Sequence, residues 1–70
     1  MYVTAVDNKL TVTNRSSMTG KVNTKELDIT FAQFAAWHQG KLIQEVMPNL
    51  SADDREFLMT GITPDEWATL

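Results

Sequence analysis

Seventy residues with six Lys or Arg, nine Asp or Glu, one His and no Cys make a small acidic chain of net charge −3. That length holds one domain with a modest core, too small for a deep cleft between two lobes, and the lack of Cys excludes a disulfide framework or thiolate metal site. With 43% apolar and 21% charged residues, no apolar run near the ~20 residues of a membrane span and no basic-then-apolar leader pattern, the expectation is a folded domain that neither spans a membrane nor carries a signal peptide.

Along the chain, Tyr2-Val3-Thr4-Ala5-Val6 has the content of a short strand, followed by a turn at Asp7-Asn8. Residues 9–13 alternate polar and apolar, which sets Leu10 and Val12 on one face of a strand. Residues 14–20 read as a loop, because Asn, Ser, Thr and Gly favour turns over ladders. Residues 21–29 return as the second strand of a hairpin, with Leu27 and Ile29 on one face. Val22 falls on the other parity, which predicts a bulge near Asn23-Thr24 or a late strand start. A hairpin alone is marginal, so helices must cover one of its faces.

The remaining residues are punctuated by helix starts and stops. Thr30 caps a helix that begins at Phe31 and stops at Gly40, with Phe31, Phe34, Ala35 and Trp37 on its apolar side. Leu42, Ile43, Val46 and Met47 give a second short apolar face, ended by Pro48. Ser51 caps a third helix in a capping-box-like arrangement with Asp54; Phe57 and Leu58 form its buried side and Gly61 closes it. Thr63-Pro64-Asp65-Glu66 starts a fourth, with Thr at the cap, Pro in the first helical position and Glu three residues on, and Trp67 and Leu70 are expected to face inward. The fold class expected is α+β. A β-hairpin half over residues 1–29, with a third short strand available, packs on three to four short helices over residues 30–70 in a single domain. The predicted core is Phe34, Trp37, Leu42, Val46, Phe57, Leu58 and Trp67.

Catalytic chemistry finds little support. His38 is the lone His and sits among Phe31, Phe34 and Trp37, where a packing or surface-edge role is the simpler account, and no nucleophile or ligand set accompanies it. The carboxylates of Asp53, Asp54 and Glu56, and of Asp65 and Glu66, occupy first turns of helices, where the dipole already favours negative charge; none has the spacing of a calcium loop. No catalytic, cofactor or metal residue is nominated.

Charge placement is more informative. Over residues 1–41, Lys9, Arg15, Lys21, Lys25 and Lys41 outnumber Asp7, Glu26 and Asp28 by two; over residues 42–70, six acids stand against Arg55 alone. The molecule should be dipolar, with an acidic face from Glu45, Asp53, Asp54, Glu56, Asp65 and Glu66, and with Arg55 either in an ion pair among them or organising the loop before Ser51. A basic hairpin could track phosphates, but one nearby aromatic, Tyr2, and a negative net charge argue against nucleic acid. Five aromatics between Phe31 and Trp67 exceed what so small a core needs, so one or two are candidates for interface anchors.

The segments Trp37-His38-Gln39-Gly40-Lys41-Leu42-Ile43-Gln44, Met47-Pro48-Asn49-Leu50-Ser51-Ala52-Asp53-Asp54-Arg55-Glu56-Phe57-Leu58 and Thr60-Gly61-Ile62-Thr63-Pro64-Asp65-Glu66-Trp67 resemble a group of very short phage-encoded proteins of unassigned function. The shared form is W-x-x-G-x-L-I-Q, P-x-L-S-x-D-D-R-E-F and G-I-T-P-x-E-W after a strand-like segment with a T-G turn, here Thr19-Gly20. The resemblance spans residues 18–70 and is dense from Trp37 onward. It implies a viral origin and a role in the infected bacterium, and no activity.

The expected function is therefore that of a non-enzymatic phage accessory protein in the cytoplasm of the infected bacterium. It binds a host or phage protein, in the manner of an inhibitor, through an acidic helical face: Glu45, Asp53, Glu56 and Asp65, with Arg55 and Trp37 as further partner-binding candidates. The alternative is a virion or assembly component that self-associates as a homo-oligomer; nucleic-acid binding through the basic hairpin ranks third. No cofactor is expected.

Overall fold

In the computed structural model, which describes residues 1–69, three antiparallel strands lead into four short helices. The strands β1 (Tyr2–Val6), β2 (Lys9–Arg15) and β3 (Val22–Leu27) lie side by side in chain order, so Tyr2–Val6 does supply a third strand and the fold is α+β. β1 and β2 meet across the two-residue turn Asp7-Asn8, where Asp7 takes a φ of 55°, the left-handed conformation that suits tight hairpins and that Asp tolerates.

Pairing is continuous across the sheet. Leu10 stands between Ala5 and Leu27, and Val12 between Val3 and Lys25. The bulge expected near Asn23-Thr24 is absent: each residue of β3 has one partner on β2, and Val22 lies on the sheet's open face, where nothing draws it inward. β2 also runs on through Asn14 and Arg15, which shortens the loop to residues 16–21. Buried Ser16 organises that loop, its hydroxyl accepting from the N–H groups of Met18 (3.2 Å) and Thr19 (3.3 Å).

Helices α1 (Phe31–His38), α2 (Ile43–Val46), α3 (Ala52–Thr60) and α4 (Pro64–Ala68) follow. The starts of α1, α3 and α4 obey the capping signals, and α2 starts after Leu42 without a side-chain cap. Thr30 accepts from the Gln33 N–H while the Gln33 side chain accepts from the Thr30 N–H, a full capping box, and Thr63 and Glu66 form a second. Ser51 accepts from the Asp54 N–H, but no return bond from the Asp54 carboxylate closes the box, and that group pairs with Lys25 instead. Gln33 also donates to the carbonyl of Val46 (2.8 Å) and to Asn49 (3.1 Å), tying the start of α1 to the end of α2.

The core gathers Leu10, Val12 and Leu27 from the sheet with Ile29, Phe34, Ile43, Met47, Leu50, Phe57 and Leu58. Two residues expected there are not in it. Leu42 is 57% exposed because it is the extended cap residue before α2; the helix begins at Ile43, so Ile43 and Met47, one turn apart, take the inward positions. Trp67 is 46% exposed because α4 turns its neighbour Glu66 inward, roughly 100° away on the helix. Trp37 and Val46 are half-buried and pack against the core from its rim. Leu70 lies outside the described residues.

Polar side chains finish the covered face. Asn14 donates to the carbonyls of Phe57 (3.2 Å) and Leu58 (3.3 Å), and Asn23 donates to that of Gly61 (3.0 Å), so sheet amides satisfy carbonyls at the end of α3. Gly61, at a φ of 76°, closes α3 so tightly on β2 that a Cβ there would lie 2.2 Å from the Arg15 carbonyl oxygen.

Candidate functional site

A shallow groove of about 400 Å³ opens where the end of α1, the connection into α2 and the outer face of α3 meet. Its walls are Trp37, Lys41, Leu42, Ile43, Gln44 and Met59. Trp37 is held on edge against Phe34, with ring centroids 6.0 Å apart, which fixes the inner wall. Leu42 and Met59 stand at 57% and 58% exposure. Of the residues expected to contact a partner, Trp37 is the one that lines this groove. Met59 is a wall residue that aromatic counting misses, although its signal is in the sequence. Phe57 and Leu58 define the inward direction of α3, and Met59 lies about 150° from it.

The acidic residues divide into two sets. Glu45 on α2, Asp53 on α3 and Asp65 on α4 are exposed, and Glu56 on α3 is half-buried. Asp54 is taken up by its contact with Lys25, and Glu66 is buried, so neither belongs to an exposed acidic face. Arg55 departs from expectation as well. Among the described residues the ion pairs are Lys25 with Asp54 and Lys9 with Glu26 (3.7 Å); Arg55 joins neither, and its buried Nε has no hydrogen-bond partner.

Glu66 is the most strongly perturbed carboxylate. It accepts from the Thr19 hydroxyl, from Asn23 (2.9 Å) and from the N–H of Thr63 (3.1 Å). These bonds, that of Thr19 foremost, outweigh the opposing cost of burial and lower its pKa from 4.5 to about 2. Every partner is a neutral donor within the fold, so the carboxylate fastens α4 to the 16–21 loop and to β3.

The basic residues do not form one track. Lys9 and Arg15 point to the open sheet face, where Lys9 meets Glu26 and Arg15 donates to the Gly20 carbonyl (3.4 Å); Lys25 points to the covered face and is paired; Lys21 sits in the loop. His38 is exposed, its ring 4.4 Å from that of Phe34 and 4.9 Å from that of Trp37 between centroids. Among the described residues no three His, Asp or Glu side chains gather in a metal-binding group, and no helix is long and apolar enough to cross a membrane. No protein-family model, curated protein or solved structure matches the chain.

Proposed function

We propose that this chain is a phage accessory protein that acts by binding another protein, host or viral, in the cytoplasm of the infected bacterium. The groove walled by Trp37, Leu42 and Met59 is its anchor site. The observation that carries this reading is apolar surface left uncovered on three separate elements around one concavity: a pinned tryptophan, a leucine in an extended cap position and a methionine on the outer face of α3. The acidic residues Glu45, Asp53, Glu56 and Asp65 add an electrostatic preference for a basic partner and act on its rate of approach more than on its grip. The phage assignment rests on the resemblance over residues 18–70.

Leu42→Asp with Met59→Asp tests the site. Both side chains are exposed, so the double variant should melt within a few degrees of the wild type while placing charge in the groove. Captured from phage-infected lysate, the partner should be retained by the wild type and lost by the variant. Equal retention by both overturns the groove as the anchor.

A further inference from the structure

We propose that the protein also self-associates through the free edge of β1, two copies pairing β1 against β1 about a twofold axis at Thr4 to give one continuous six-stranded antiparallel sheet. This rests on the sheet and is independent of the helical groove.

Hydrogen-bond parity identifies the free groups. The Ser16 N–H donates to the Lys21 carbonyl at 2.8 Å, one step beyond the last registered pair of β2 and β3, Arg15 with Val22. Bonded pairs alternate along an antiparallel ladder, so Leu10, Val12 and Asn14 bond towards β3, and Lys9, Thr11 and Thr13 bond towards β1. Their partners Val6, Thr4 and Tyr2 therefore point into the sheet, and the N–H and C=O groups of Val3 and Ala5 point out of it. With Thr4 set opposite Thr4 of a second copy, Val3 of each strand meets Ala5 of the other. The outward residues of the two strands then match, and four backbone hydrogen bonds close.

Side chains fit the same register. On the open face Tyr2, 79% exposed, falls opposite Val6 of the second copy, an aromatic and β-branched pair made twice. On the other face Val3 of the second copy stands opposite Ala5, beside a groove of about 270 Å³ whose walls include Ala5, Leu10, Ile29 and the 59% exposed Phe31. Two rings per copy, with Val6, Ala5 and the strand edge, bring the buried surface to roughly 1,000 Å² in total, the lower end of what a specific dimer needs.

The two sheet edges also differ in protection. β1 holds no charged residue, no Pro and no bulge, the usual devices that keep an edge from pairing, whereas β3 carries Lys25 and Glu26. In the proposed register no charge lies opposite another within the five paired residues.

Sedimentation from about 10 μM to 1 mM should give a mass that climbs from the 7.9 kDa of one chain towards twice that value. Because the chain has no Cys, single cysteines read the register directly. Thr4→Cys places two thiols across the axis within disulfide reach and should cross-link on mild oxidation at least about tenfold faster than Tyr2→Cys, whose two copies lie roughly four residues apart along the strands. Ala5→Pro removes an outward N–H while leaving the bonds between β1 and β2, and should raise the dimer dissociation constant at least about tenfold. Thr4→Lys, exposed in the monomer, sets like charges across the axis and should do the same. A monomeric mass throughout, equal cross-linking of the two cysteine variants, or a dimer indifferent to both Ala5→Pro and Thr4→Lys overturns the proposal.

Discussion

At the scale of single residues, two positions hold the sheet to the helices. Gly61 combines a left-handed φ with a backbone approach that no Cβ fits, because Arg15 and Ser16 press on it from β2 and the loop beyond. Gly61→Ala should destabilise the protein by on the order of 2–4 kcal/mol in denaturant unfolding, more than a glycine in open space such as Gly20 would lose. Glu66 supplies a pH dependence whose sign is fixed. Its pKa is about 2 in the folded protein against 4.5 for the free group, so its contribution to stability is complete above pH 4.5 and is lost as pH falls towards 2. Thermal melts of the wild type should decline through that window, and those of Glu66→Gln should start lower at neutral pH and decline less.

At the scale of elements, the capping signals and strand alternation read truly, because both depend on residues within a few positions of one another. Thr30, Ser51 and Thr63 all cap as the sequence indicates, and removing one hydroxyl, as in Thr63→Ala, should cost about 1 kcal/mol. Where one helical step decides which side chain faces the sheet, residue type alone misleads. Leu42 and Trp67 each sit one residue from a neighbour that turned inward, and hydrophobicity alone does not reveal that a carboxylate, Glu66, would take an interior place with four polar partners around it. The same limit governs the site. Trp37 was legible as a candidate anchor, whereas the groove also needs Leu42 to be outside, which follows from where α2 begins. Truncation should separate the two classes of residue. Phe57→Ala, fully buried, should cost about 3–5 kcal/mol, and Leu42→Ala less than about 1 kcal/mol.

At the scale of the whole molecule, charge is segregated but less than the sequence suggests. Lys25 reaches across to Asp54 and Glu66 is withdrawn, so two of six helical acids leave the surface field, and Glu45, Asp53, Glu56 and Asp65 carry what is left of it. Converting those four to amides keeps shape and raises net charge from −3 to +1. The fold should survive, and association with a basic partner should slow, most of all below about 0.1 M salt where screening is weak. An association rate unchanged across a salt series would assign these carboxylates to helix-end chemistry and leave the apolar groove as the whole of the recognition surface.

The unusual docking of α4, carboxylate inward and indole outward, makes this small protein report on its own disassembly. Trp67 rides on a helix fastened through Glu66 by Thr19 and Asn23, whereas Trp37 is wedged against Phe34 at the rim of the apolar core. The carboxylate that holds the helix of Trp67 can be protonated, whereas the contact that holds Trp37 against Phe34 is apolar. Protonation of Glu66 should weaken the hold on α4 before the core gives way, a sub-global opening. Fluorescence of the single-tryptophan variants Trp37→Phe and Trp67→Phe should record it: the Trp67 signal moves first as pH falls, and the Trp37 signal follows only when the sheet and helices part.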